Sequence, residues 1–196
     1  MNRSEVEFVR ITEEKLLSDN WYVLKRFTFD YRRKNGQWET QTREAYDRGN
    51  GAAILLHNSR TDTVILTRQF RLPTYVNGNP SGMLIEACAG LLDNEHPDVA
   101  IKRETEEETG YRLTSVRKVM EAYMSPGSVT ERLFFYTADY SSETERRGGG
   151  GVEEEEIDVM ELPLSRAMQM IDTGEIMDGK TIMLLQHLRL RQLEDR

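Results

Sequence analysis

Ala89-Gly90-Leu91-Leu92-Asp93-Asn94-Glu95 leads past Pro97 to Arg103-Glu104-Thr105-Glu106-Glu107-Glu108-Thr109-Gly110-Tyr111, and what these residues form decides the rest. Pro97 suits a first helical turn and Gly110 the place just past a helix end, so 97–109 is expected to be helical. On a helix Glu104, Glu107 and Glu108 stand three and four residues apart and share a face, while Glu106 points away. Like charges at this spacing cost roughly 0.2–0.5 kcal/mol per pair. No run of lysines faces them, so a cation is expected in compensation. A hard divalent ion is the economical choice, because it takes carboxylate and carbonyl oxygens. An acidic run alone is ordinarily a solvated helix face. Here a strand, a glycine-containing loop with Glu95 and the acidic helix follow one another in the order a loop–helix metal site needs.

Upstream, residues 83–89 read as one short apolar strand and 90–95 as a loop. The apolar runs 52–56 and 63–67, parted by the polar turn 57–62, read as paired strands. Residues 20–48 read as a hairpin or meander in which Trp21, Val23, Phe27, Phe29 and Tyr31 alternate. Asn35-Gly36 is its two-residue turn signal, with a partner strand from Trp38 to Tyr46. Asp47-Arg48-Gly49-Asn50-Gly51 is a joint, which divides the chain into 1–47, a β subdomain, and 48–196, the main domain. Downstream, 116–123, 133–139 and 157–162 read as strands and 164–173 and 181–192 as helices. Residues 148–156, four glycines, a valine and then four glutamates, interrupt the chain; by composition they are a linker with a solvated acidic tract. Strands mixed with a few helices mean an α+β chain or an α/β/α sandwich.

The 196 residues suit one domain with an appendage, and 38% hydrophobic residues suffice for a core. A net charge of −8 argues against nucleic acid as a partner, since that binding needs clustered Lys and Arg. A phosphorylated small molecule stays open, because a few arginines and a cation can hold an anion on an acidic protein. No apolar run reaches the roughly 18 residues of a membrane span, so no membrane partner is expected. No secretory signal is evident either, and the single Cys88 precludes an intrachain disulfide, so the cytoplasm is the expected compartment.

The stretch from Ala89 to Tyr111 resembles the Nudix box: glycine, five residues, Glu, seven residues, then Arg-Glu-aliphatic-any-Glu-Glu-any-Gly-aliphatic. Glu95, Arg103, Glu104, Glu107, Glu108 and Gly110 match at the family spacing. Ala89 takes the first position with glycine one place late at Gly90, and Thr105 and Tyr111 replace aliphatic residues. The resemblance implies an α/β/α sandwich that hydrolyses a pyrophosphate bridge with Mg²⁺, for which Mn²⁺ can substitute. It implies that Glu104, Glu108 and the Ala89 carbonyl bind the metal, while Glu107 ligates it or holds a coordinated water. Arg103 is expected to pair with an acidic neighbour, Glu86 being the candidate. The branch that cleaves ADP-ribose and GDP-mannose carries acidic residues in a loop at 153–156. There Glu155 aligns as the ligand that completes the metal shell, and Glu153 or Glu154 as the general base, with the preceding glycines allowing the loop to close over substrate.

Further stretches resemble the GDP-mannose pyrophosphatase (NudK-type) subgroup of that branch, from Lys15 to Leu190. They are Leu17-Ser18-Asp19-Asn20-Trp21, Thr42-Arg43-Glu44, Arg68-Gln69-Phe70-Arg71, Ser125-Pro126-Gly127-Ser128-Val129-Thr130-Glu131 and Asp178-Gly179-Lys180-Thr181. The subgroup implies a homodimer that exchanges its N-terminal antiparallel sheet, so that the sheet reaches the partner's active site. It further implies Trp21 stacked on a base, Arg43, Arg68, Arg71 and Lys180 on phosphates, and Glu131 on a sugar hydroxyl or near the metal. Glu44, Ala89, Gly90, Leu91, Glu108 and Glu154 complete the expected substrate contacts. A nucleoside diphosphate sugar is the expected substrate, GDP-mannose giving GMP and mannose 1-phosphate. The alternatives are an ADP-ribose pyrophosphatase and a catalytically silent nucleotide-sensing domain.

Overall fold

The structure, a computed structural model, describes residues 8–151 and 156–194. The chain divides into two units, one running to Gly49 and taking in Ser125–Glu131, the other comprising Asn50–Met124 and Arg132–Arg196.

In the first unit β1 (Val9–Asp19), β2 (Val23–Arg32) and β3 (Trp38–Asp47) form an antiparallel sheet in that order. The sequence reading covers β2 and β3 but misses β1, whose centre, Glu13-Glu14-Lys15, carries no alternating apolar signal. The turn also departs from expectation. Arg32 pairs with Trp38, leaving a five-residue connection rather than a two-residue one. Only Gly36 has a positive φ, at 86°, while Asn35 spends its side-chain oxygen on the Gln37 amide at 3.0 Å. The segment Ser125–Glu131 joins this unit through Tyr46 N–H to the Ser128 carbonyl, 2.8 Å, and Thr130 N–H to the Tyr46 carbonyl, 3.0 Å. No described residue of the unit is buried.

The second unit is built on a seven-stranded mixed sheet. Its order is β10 (Asp158–Pro163), β5 (Thr63–Phe70), β4 (Gly51–Asn58), β9 (Arg132–Asp139), β8 (Arg117–Tyr123). β4 and β9 are parallel and every other pair is antiparallel. β4 is buried along its whole length, as a strand covered on both faces must be. Ala53 and Leu55 face a cluster with Phe135 and with α3 (Leu164–Asp172) and α4 (Gly179–Glu194), through Leu164, Ala167, Leu184 and Leu185. Ala52, Ile54 and Leu56 face the other cluster with Ile101 of α2 (Pro97–Thr109), Tyr111, Tyr136 and Tyr140. Helices on both faces make the expected α/β/α sandwich.

The expected strand 83–89 is two strands. β4 and β5 pair only from Leu56↔Ile65 to Asn58↔Thr63, then part. The segment fills the gap, pairing first with β5 as β6 (Met83–Glu86) and then with β4 as β7 (Cys88–Leu91). Gly90 and Leu91 therefore belong to a strand and not to the loop. The short helix α1 (Leu72–Val76) leaves no trace in the hydrophobic pattern, its five residues being too few for a helical period.

Candidate functional site

The acidic helix α2 starts where Pro97 predicts and stops at Gly110, whose φ of 78° needs a residue without a Cβ. His96 caps it by accepting the Asp98 amide. Ala100, Ile101, Thr105, Glu108 and Thr109 are buried and dock it on the sheet. The two departures from the aliphatic pattern are both satisfied in the core. The Thr105 hydroxyl donates to the Ile101 carbonyl at 2.6 Å, and Tyr111 packs on Tyr140 with ring centroids 5.3 Å apart.

Glu106 is exposed, as its position demands, while Glu104 and Glu107 are partly and Glu108 almost wholly covered. Arg103 supplies part of the compensating charge from within the helix. Its Nη1 lies 2.9 Å from Glu104 Oε1 and 3.0 Å from Glu107 Oε2, its Nε lies 3.0 Å from Glu95, and Asp93 stands 3.7 Å away. Burial works against the Arg103 charge, but the hydrogen bond it donates to Glu95 and the fields of Glu104 and Glu107 raise its pKa. The expected partner Glu86 is elsewhere. It is 3% exposed and held by Arg71, 2.6 Å away, and by Lys180. A lone charge inside the apolar run 83–89 announces such a clamp, since a buried carboxylate must be paired; the sequence does not say by which cation.

Glu108 has no such relief. Its Oε2 is buried without a hydrogen-bond partner among the described residues. Burial pushes its pKa up to about 7, opposed by a hydrogen bond from Cys88 and by Arg71 and reinforced by the charge of Glu104. Burial likewise pushes the Cys88 thiol well above its usual range, and Glu108 adds to the effect. Gly90 of β7 lies against Glu104 so closely that a Cβ there would collide with the Glu104 carboxyl group. The late glycine of the motif thus makes the room in which that carboxylate sits.

The glycine tract does more than link. Gly150 N–H donates to the Glu108 carbonyl at 2.8 Å and Gly151 N–H to the Glu107 carbonyl at 3.2 Å. These amides satisfy carbonyls that the end of α2 leaves open. Gly148, Gly149, Gly150 and Gly151 all have positive φ, between 66° and 104°. The tract is therefore bonded to the acidic helix, not a free hinge, up to the residue before Val152. Glu153, Glu154 and Glu155 lie outside the described residues.

A metal site was expected here. Among the described residues no three His, Cys, Asp or Glu side chains form a ready cage. The donors that are described still suit a hard divalent cation: the Glu104 and Glu108 carboxylates, one with an unmatched buried oxygen, and backbone carbonyl oxygen at Ala89.

Arg71, Glu86, Lys180 and Asp178 gather in the same unit, and Arg71 feels the charge of Glu108. Arg68 is exposed on β5, 3.5 Å from Asp158. The remaining candidates belong to the first unit. Trp21 is 84% exposed between β1 and β2, so it is no core aromatic, and its ring meets Tyr22 edge-on. Arg43 donates to the Thr42 carbonyl at 2.8 Å, Glu44 is exposed, and Glu131 pairs with Arg48 at 3.5 Å.

Comparison with known proteins agrees with this geometry. Residues 47–184 match the NUDIX domain model, and residues 8–46 match the model described as GDP-mannose pyrophosphatase NudK N-terminal domain. A GDP-mannose pyrophosphatase of Pectobacterium atrosepticum is 58% identical over 183 residues, 93% of this chain and 95% of the relative. One from Escherichia coli O1:K1 / APEC is 54% identical over 187 residues, 95% of this chain and 98% of the relative. A crystal structure of an ADP compounds hydrolase superposes with a TM-score of 0.76 over 98% of both chains at 17% identity, a likeness of fold alone.

Proposed function

This chain belongs to the Nudix family, and from that premise we propose that it hydrolyses the pyrophosphate bridge of a nucleoside diphosphate sugar, GDP-mannose, to GMP and mannose 1-phosphate. What carries the reading is the full-length likeness to GDP-mannose pyrophosphatases together with an intact acidic helix. A silent nucleotide sensor has no need of a buried carboxylate oxygen left without a partner, as on Glu108.

The divalent cation is Mg²⁺, replaceable by Mn²⁺, held by Glu104, Glu108 and the Ala89 carbonyl, with Glu155 completing the set. Bound there, it neutralises charge on the phosphoryl oxygens and makes water more acidic. Glu107 orients a water molecule, and Glu153 or Glu154 takes its proton as the oxygen adds to phosphorus and the bridging P–O bond breaks. Arg71 and Lys180, with Arg68, grip the diphosphate, while the strand edge at Gly90 and Leu91 lies alongside it.

The first unit contributes dimer contacts. A three-stranded sheet with no buried residue, and with Phe8, Ile11, Leu16 and Trp21 exposed, does not cover its own apolar surface. Exchange of this sheet between two copies would cover it. Trp21 then stacks on the base, and Arg43, Glu44 and Glu131 contact the nucleotide and sugar. No helix among the described residues is long and apolar enough to cross a membrane. The single cysteine keeps the cytoplasm as the proposed compartment, and nucleic acid is no proposed partner.

A panel of nucleotide sugars assayed with Mg²⁺, by phosphate release after adding a phosphatase, tests the assignment. GDP-mannose is expected to lead, with ADP-ribose weaker; cleavage of UDP-glucose as fast as GDP-mannose overturns it.

A further inference from the structure

Glu86 is the one charged residue in the run that feeds the acidic motif, and at 3% exposure it persists only because both its oxygens are matched. Oε2 accepts from Arg71 Nε at 2.6 Å and Oε1 from Lys180 Nζ. Lys180 Nζ also donates to Asp178 Oδ1 at 3.0 Å. Asp178 Oδ2 accepts the Thr181 amide at 2.9 Å and the Thr181 hydroxyl at 2.5 Å. That hydroxyl oxygen in turn accepts the Ala87 amide at 2.6 Å. Three segments distant in sequence are thereby locked together: the end of β5, the end of β6 and the start of α4.

Counting donors shows what the lock leaves over. Arg71 has five N–H groups and gives one to Glu86; its terminal nitrogens have no hydrogen-bond partner among the described residues. Lys180 has three and gives two. Both cations are held by one part of their donor sets and keep another part open, the condition for gripping an anion without first being ordered. We propose that Glu86 is a positioning residue of the hydrolysis, holding Arg71 and Lys180 together as a preformed clamp for the diphosphate while touching no substrate itself. The inference rests on the phosphate-binding role proposed above for those two cations.

A purely electrostatic role makes the opposite prediction. Removing the Glu86 charge leaves Arg71 and Lys180 less neutralised, so an anion would bind more tightly. A positioning role loses the fixed geometry, and Glu86→Gln can offer an acceptor oxygen to only one of the two cations. Two rotamer-rich side chains then order only on binding, at about 2- to 10-fold each in affinity.

The experiment is steady-state kinetics of Glu86→Gln on GDP-mannose with the full-length protein, its folding checked by circular dichroism, together with Mn²⁺ affinity measured by electron paramagnetic resonance without substrate. We expect kcat/KM to fall about 10- to 100-fold, carried mainly by KM, with Mn²⁺ affinity within threefold of wild type. In an Arg71→Ala/Lys180→Ala background the effect of Glu86→Gln should shrink below threefold, because its targets are gone. A KM that is unchanged or lower, or a Glu86→Gln effect that persists in that background, overturns the proposal. Should Glu86→Gln not fold, Thr181→Val, which removes only the hydroxyl beneath Asp178, is expected to raise KM about threefold, and an unchanged KM counts against the clamp. Wild-type protein that cleaves no nucleotide sugar would instead sink the functional assignment, a separate and visible result.

Discussion

Glu108→Gln should change the pH dependence of stability in a way that exposes how much the site costs the metal-free fold. Glu108 sits 4% exposed with one oxygen unmatched, and burial carries its pKa from 4.5 to about 7. A carboxyl group whose folded pKa lies above its unfolded one favours the unfolded chain when ionised. Its penalty is small below pH 4.5, grows as pH rises towards 7 and is nearly complete at pH 8. Two-state linkage places it at about 1 kcal/mol at pH 5 and roughly 3 kcal/mol at pH 8. Glutamine cannot ionise, so its own mismatch with the pocket is a constant offset. In urea unfolding with EDTA, the stability of the variant relative to wild type should therefore improve by about 2 kcal/mol between pH 5 and pH 8. Adding Mg²⁺ at pH 8 should raise the wild-type midpoint and leave the variant unmoved, since a ligand of the folded state stabilises by mass action. Parallel stability–pH curves for the two proteins would show that Glu108 is not buried as charge, and the account of its orphan oxygen would fail with them.

Gly90→Ala should cost about 1–3 kcal/mol of stability in the same unfolding assay, because the new Cβ collides with the Glu104 carboxyl group. The displaced carboxylate should lower kcat/KM by about 100-fold; near-wild-type turnover would remove Glu104 from the site. Gly149→Ala places a Cβ 2.7 Å from the Thr109 carbonyl carbon at a φ of +90°, and should lose about 1–3 kcal/mol and turnover together. Gly148→Ala, at φ +66° with open space beside it, should lose only about 1 kcal/mol, and equal losses for the two would refute the capping role of the tract.

The parts of this molecule that could be read from sequence are those whose signal is local. Pro97, Gly110 and the three-and-four spacing of Glu104, Glu107 and Glu108 delimit α2 residue for residue, because caps and helical period act within a turn or two. The alternation in β2 and the unbroken apolar run of β4 were legible for the same reason. What escaped depends on distant segments. The splitting of 83–91 into β6 and β7 follows from β4 and β5 parting after three pairs, which neither strand's composition states. β1 stays invisible because Glu13-Glu14-Lys15 lies on a sheet with no buried face.

Arg103 and Glu86 show the limit most directly. Both were expected to be paired, and both are, but with others. Arg103 had carboxylates within its own helix and loop, at Glu95, Glu104 and Glu107, reachable without leaving the surface. Nothing local remained for Glu86, the one buried residue of β6, so its partners come from the end of β5 and the start of α4. The difference is one of solvation. A half-exposed arginine takes whichever carboxylates lie nearest, at modest gain, whereas a buried carboxylate demands cations wherever the fold can supply them. A charge inside an apolar strand run is therefore evidence that long-range partners exist, and here those partners are Arg71 and Lys180, the two cations proposed to grip the diphosphate. Under the proposed function, the clamp with its buried anchor and the acidic helix with its unmatched carboxylate oxygen are the positive and negative halves of one site, which a phosphate and a cation would complete.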